Sequence, residues 1–245
     1  EPHGQCKHKT NDIRRLKSQG ITPKYNFRYA DDWVILTTSQ KEAERLKHEL
    51  TDYFRYKLKL ELSQEKTYVT DLRSKGIRFL GFVVKAERKR KTPDPKTWTE
   101  NLVGKPYPDL ERLKRKTETL QAEIRKIETF REPAAKAAQI HKINSMIMGI
   151  AQYLQPSICS HAFKIIDRRV NNTAFAVWKN MFPHSYNQMQ VPMKILCNLP
   201  HRHQDYSSTT FAIKVEGHWF GLTYAFITHS RYEAKPFDQK TTPYT

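Results

Sequence analysis

Glycine is scarce in this chain, with 8 among 245 residues. So few leave little room for a phosphate-cradling glycine loop or a dinucleotide fingerprint, and neither pattern occurs. No Ser-His-Asp order of a nucleophilic hydrolase is present either. The three cysteines, Cys6, Cys159 and Cys197, lie far apart and are odd in number. That excludes a disulfide framework and points to a reducing compartment. Two short stretches, "HGQCKH" (3–8) and "CNLPHRH" (197–203), each hold one Cys and two His. Zinc wants four ligands at a recognised spacing and neither stretch has a CxxC, so both read as surface histidines. No window approaches an 18-residue apolar run, and none opposes a basic face to a continuous greasy one, so no membrane partner is expected. A signal-peptide core is missing too, which argues against secretion. The chain opens Glu1-Pro2-His3 without an initiator Met and reads as a fragment or processed piece.

Acidic residues are the last shortage. There are 25 against 43 Lys plus Arg, giving a formal +18 and a pI near 9.8. Such a field seeks a polyanion, and with membranes set aside the expected partner is nucleic acid. The excess is spread over residues 1–205 and nearly vanishes in 206–245, so the last segment is a different kind of surface.

Against this background stands "YNFRYADDWVILTTS" (25–39). Alternation at Tyr25, Phe27 and Tyr29, then the apolar run from Trp33 to Leu36, predicts a hairpin with Asp31 and Asp32 at its tip. A tip built only for folding would carry Asn-Gly or Asp-Gly, whereas adjacent carboxylates repel. A solvated turn is the bland reading. The chemical one is a pair of oxygen ligands for Mg²⁺, delivered at a fixed place by a rigid hairpin.

Next, "SQKEAERLKHELTDYFRYKL" (39–58) opens with Ser39 and Glu42 as a capping box and places Ala43, Leu46, Leu50 and Phe54 at helical spacing. "LKLELSQEKTYVTDL" and "GIRFLGFVV" together predict two or three strands. Residues 83–107, charged and holding Pro93, Pro95 and Pro106, predict a basic linker. Three helical patterns follow: Leu110, Leu113, Leu120, Ile124, Ile127 and Phe130; Ala138, Ile140, Ile143, Ile147, Ile150 and Leu154; Phe163, Ile166, Val170, Ala174, Val177 and Met181. Short breaks at 131–133 and 155–160 imply antiparallel neighbours in a small bundle. Residues 184–208 read as irregular, and "TFAIKVEGHWFGLTYAF" (210–226) as a hairpin about Glu216-Gly217. The expected class is α+β.

In order and spacing, "RYADDWVIL", the amphipathic helix, "LKLELSQEKTYVT" and "GIRFLGF" resemble the second half of the palm of group II intron-encoded reverse transcriptases. The three-helix stretch, with "KINSMIMGIAQYL" and the Trp178-bearing third helix, resembles that family's thumb, the maturase or X domain. The resemblance covers about residues 25–183. It implies a partial palm of antiparallel strands and a helix over 1–82, a linker over 83–107, a helical thumb over 108–183, and a small mixed extension over 184–245 that could begin a DNA-binding region. Trp33 stands where a smaller aromatic is commoner, and the fingers with the first metal-binding aspartate are absent.

Carried over by position, the resemblance makes Asp31 a direct ligand of two catalytic Mg²⁺ ions and Asp32 the accompanying acid, with Tyr29 and Ala30 beside the primer end and the incoming dNTP. Lys66 in "SQEKT" is a candidate general acid near the nucleotide phosphates, or an exposed strand-end lysine. Phe79, Leu80, Gly81 and Phe82 match the primer-grip turn, where Gly81 would let a primer backbone come close; two core phenylalanines on a bent strand fit the same residues. Lys164, Arg168, Arg169 and Lys179 could track RNA or duplex phosphates, or form an ordinary solvated helix face.

The implied activity is RNA-directed DNA polymerisation on an RNA template with a DNA primer, together with binding of group II intron RNA as a splicing maturase. The partner is an upstream fingers and palm half, on the same or a separate chain, without which the fragment would be nearly inactive. The implied location is bacterial cytoplasm or an organellar matrix. Two alternatives stand: a non-catalytic maturase-type RNA binder, and a domesticated or defence-type reverse transcriptase.

Overall fold

The computed structural model describes residue 18 and residues 25–88, 102–199 and 208–230. These form two compact units: one holds residues up to 80 and 84–104, the other 81–83 and 105 onward.

In the first unit, β1 (Tyr25–Tyr29) and β2 (Asp32–Leu36) pair antiparallel with Tyr29 opposite Asp32. The expected helix follows as α1 (Gln40–Asp52). Ser39 caps it, its Oγ accepting from the Glu42 N–H at 3.2 Å. The Glu42 carboxylate reaches back to the N–H and hydroxyl of Thr38, one residue earlier than in the standard box. Leu46 is buried, while Ala43, Leu50 and Phe54 are half-buried. A single π turn, Tyr53–Lys57, closes the helix.

The strand expected in "LKLELSQEKTYVTDL" does not form. Its backbone closes local turns instead: Leu60 donates to the Phe54 carbonyl, and Lys66 and Thr67 both donate to Ser63. Alternation makes a strand only where a neighbouring edge takes the hydrogen bonds. At 71–75 the Arg73 guanidinium and backbone hold the Asp71 carboxyl below its usual range, and the Asp71 carbonyl accepts from Ser74 and Lys75. Then come β3 (Ile77–Phe79), β4 (Phe82–Arg88) and β5 (Leu102–Pro108), in sheet order β3-β4-β5. Residues 83–107, expected as a linker, thus begin and end in strand, and 89–101 lie outside the described residues. Among the described residues, Leu46 is the only buried apolar side chain of this unit.

The second unit carries the core. α2 (Leu110–Arg125) is capped by Asp109, α3 (Pro133–Leu154) starts with proline at its first turn, and α4 is Ser160–Met181. Their breaks fall where the sequence places them. Gln121 meets Thr173 and Glu128 meets Asn180, 52 residues apart in both cases, so α2 and α4 run the same way with α3 reversed beside them. Two stripe positions differ from expectation. Leu110 is 55% exposed because it is the first residue of α2. Ala137 is buried in place of Ala138, since 137, 140, 144, 147, 151 and 154 keep the 3-4 spacing of one face.

A small antiparallel sheet then packs on the bundle: β6 (Gln190–Pro192), β7 (Thr209–Val215) and β8 (His218–Gly221) in that order, followed by α5 (Ala225–Ser230). The β7-β8 turn has φ of +48° at Glu216 and +86° at Gly217, the mirror-image turn that matches strand twist. β6 lies in a stretch expected to be irregular; three residues are too few to carry a period. Sheet and bundle are tied by buried polar links. Trp178 Nε1 donates to the Ala212 carbonyl at 2.8 Å, and Asn144 donates to Gly221 O while accepting from Thr223 N. Phe211, Ile213 and Leu222 join the helices in one core. The class is mixed α and β with antiparallel pairing and five α-helices among the described residues, compatible with the expected α+β fold. No helix among them is long and apolar enough to cross a membrane.

One ionic node joins α2 to α3. The Glu123 carboxylate accepts from Lys126 at 2.6 Å, Lys142 at 2.7 Å and Gln139 at 2.8 Å, which together lower its pKa to about 2. A carboxyl depressed from the ordinary 4.5 contributes stability that is present above pH 4.5 and lost as pH falls toward 2. Glu123→Gln should therefore cost about 1–2 kcal/mol at neutral pH, the low end of the range because both lysines stay half exposed. It should also flatten the unfolding midpoint over that acid window, read by denaturant titration at several pH values.

Candidate functional site

The hairpin tip is a two-residue loop, Ala30-Asp31, in which Ala30 takes φ +53°. Positive φ at the first loop residue is the pattern of a II′ turn, which fits the twist of its strands. It is reinforced by Arg28, whose Nε donates to the Ala30 carbonyl at 2.8 Å. Asp31 occupies the loop and Asp32 is the first residue of β2. Both are exposed, and neither carboxylate makes an ion pair or side-chain hydrogen bond among the described residues. Trp33 to Leu36 behind them are all half-buried, rooting the tip, while Tyr29 in front is 66% exposed. Within the same unit β2 touches β3, which ends at Phe79.

Lys66 is exposed and sits in its own turn at 64–66 rather than at a strand end. The strand-end geometry expected for it is replaced by a backbone bond to Ser63.

The "FLGF" turn is a tight mirror-image turn, with φ of +50° at Leu80 and +76° at Gly81. A Cβ at Gly81 would meet the Tyr153 hydroxyl and, at 2.8 Å, Arg112 Nη1. Phe82 stacks on the Tyr153 ring at 5.2 Å and 18°, and Lys116 Nζ sits 4.8 Å above that ring. The φ of +76° is what favours glycine here, and its close neighbours are the side-chain ends of a tyrosine from the end of α3 and an arginine from α2. Sequence reasoning missed Tyr153, Arg112 and Lys116, because each is an unremarkable surface residue of its helix until the turn is laid against it. Gly81→Ala should destabilise by about 1–2 kcal/mol from the backbone alone and disturb the Phe82–Tyr153 stack. A lowered thermal midpoint with altered near-ultraviolet dichroism is the expected signature.

On α4, Lys164, Arg168, Phe175 and Lys179, spaced by four, seven and four residues, fall on one exposed stripe, with Lys179 Nζ 5.9 Å from the Phe175 ring. Arg169 is half-buried and lies off that stripe. Asp167, also on α4, is taken up by structure: it accepts from the Ala225 and Phe226 N–H groups at 2.7 and 3.0 Å, and burial pushes its carboxyl up to about 6. No group of three or more His, Cys, Asp or Glu able to hold a metal occurs among the described residues. Residues 3–8 and 200–203 of the two Cys/His stretches lie outside them, while Cys197 is exposed with its Sγ 3.1 Å from the Trp219 carbonyl oxygen.

No family model matches the chain. Over 62 residues, 25% of its length, it is 42% identical to group II intron-encoded protein LtrA of Lactococcus lactis subsp. cremoris, and equally to that protein from strain MG1363. The match spans 10% of the length of those relatives.

Proposed function

We propose that this chain is the palm-and-thumb part of a group II intron-encoded reverse transcriptase that also binds its intron RNA as a maturase. The observation that carries the reading is the exposed, unpaired Asp31-Asp32 tip on a braced hairpin beside β3. Two adjacent exposed carboxylates with no cation of their own among the described residues repel mildly in water, and a divalent ion would neutralise them. Their oxygen donors suit Mg²⁺, yet two acids do not complete its octahedral shell, so substrate phosphates, water and a further carboxylate from outside these residues would finish it. When bound, a pair of Mg²⁺ ions supplies activation of the primer 3′-hydroxyl and stabilisation of the leaving pyrophosphate.

The chain's own residues do the placing. Asp31, in the loop, offers its exposed carboxylate at the tip, and the exposed Asp32 beside it adds negative potential. Tyr29 offers an exposed ring for the primer end or incoming dNTP. The "FLGF" turn, braced by Tyr153, holds the primer strand, and the α4 stripe of Lys164, Arg168 and Lys179 takes duplex or intron phosphates, with Arg169 in a lesser role. Lys66 is the candidate proton donor to the leaving group. The +18 charge supports an RNA template with a DNA primer as partner, and the similarity to an intron-encoded protein supports intron RNA.

Primer extension tests the reading. The 245-residue chain alone should extend a DNA primer on RNA hardly at all, and adding a fingers-bearing half should restore extension. If RNA binds but no such half ever restores extension, the binding-only maturase reading replaces this one.

A further inference from the structure

We propose that the turn closing α1 is a separate binding site for single-stranded nucleic acid, with Tyr53 and Tyr56 stacking on bases and Arg55, Lys57 and Lys59 on the flanking phosphates. The site needs nothing from the Asp31 hairpin.

Residues 53–57 form a π turn, a local widening of the helix that tends to occur at functional positions. Leu58 N–H closes it on the Tyr53 carbonyl, and Leu60 N–H on Phe54. Lys59 then takes φ +55°, a left-handed backbone that a lysine adopts at a cost of about 1–2 kcal/mol. Phe54 is half-buried and meets Tyr53 edge to face at 6.4 Å, which anchors the turn from beneath. Both tyrosines are turned outward, 53% and 65% exposed. Two large rings are thus left open to water three residues apart on one short turn, each able to take a base face.

The charges around the rings select their occupant. No acidic residue falls between Asp52 and Glu61. Arg55, Lys57 and Lys59 are exposed and carry no ion pair among the described residues. Earlier in the same helix Arg45 does pair with Glu49, and His48 Nδ1 lies 3.1 Å from an Asp52 carboxylate oxygen. Cations left open beside exposed aromatics are the combination that binds single strands: the rings take base faces without sequence preference and the cations follow the backbone. A duplex would offer phosphates alone and leave both rings unused.

Anisotropy titrations of the full chain with a single-stranded uridine RNA of about 12 nucleotides, and with a blunt duplex of equal length, test the site. Tyr53→Ala with Tyr56→Ala should weaken single-strand binding by about 10–100-fold while duplex binding holds within about threefold. Arg55→Gln, Lys57→Gln and Lys59→Gln together should reduce the single-strand salt slope by about 2. Ultraviolet cross-linking of the unmutated chain should place RNA on Tyr53 or Tyr56, which needs no variant to fold. Single-strand binding unchanged by the tyrosine pair, or cross-links that all fall elsewhere, would overturn the proposal. So would shielding of both tyrosines from chemical labelling by a fingers-bearing protein half but never by RNA, which would make the turn a protein interface.

Discussion

On the proposed function, Asp31→Ala in the chain joined to a fingers-bearing half should lower nucleotide addition by on the order of a hundredfold or more, while binding of RNA and any binding-only help to splicing should persist. Removing a group that merely orients a metal ligand already costs about 10–100-fold, and Asp31 would be a ligand itself. The phosphate contacts proposed for the α4 stripe would position the substrate and should be untouched by the change. Without metal the same substitution should leave stability unchanged or slightly higher, because it relieves repulsion from Asp32 at a tip where, among the described residues, nothing else pairs with either acid. Primer extension, RNA titration and thermal unfolding on one preparation separate these effects. An Asp31→Ala enzyme that polymerises well reduces the tip to a turn.

Trp178→Ala is expected to have the largest effect on stability. The side chain is fully buried, its ring lies 5.6 Å from Phe211, and its indole N–H holds the Ala212 carbonyl of β7. Truncation opens a cavity where bundle and C-terminal sheet meet and should cost about 3–5 kcal/mol, a large part of the 5–15 kcal/mol a domain typically has. Trp178→Phe keeps most of the packing and loses the donor, so about 1–3 kcal/mol is expected. Denaturant unfolding gives both numbers, and the Ala variant should also loosen β7 in hydrogen exchange.

What was legible in the sequence follows a physical line. The helices of the second unit repeat a strong period over several turns, and the breaks at 131–133 and 155–160 punctuate them, so they read directly. The hairpins at Ala30-Asp31 and Glu216-Gly217 are local and read equally well. "LKLELSQEKTYVTDL" misled because alternation reports which faces are apolar, not whether an edge exists to pair with. β5 at Leu102–Pro108 was hidden by prolines and charges that suggest a linker, and β6 is too short to show a pattern. At the site, Asp31, Asp32 and the "FLGF" turn are visible as motifs. The bracing of Gly81 by Tyr153 and Arg112 is not, since it depends on chain segments 31 and 72 residues away meeting at one turn. Asp167 and Glu123 are likewise ordinary acids in the sequence; their separate fates come from tertiary contacts with α5 and with α3.

The most direct measurement of the central claim replaces Mg²⁺ with Fe²⁺ in the assembled enzyme with primer, template and a dNTP, and maps where the chain is cut by locally generated radicals. Cleavage within a few residues of Asp31-Asp32, lost in Asp31→Ala although RNA still binds, is the predicted result. Cleavage confined to other segments, or a cut at the hairpin that survives Asp31→Ala, would contradict it.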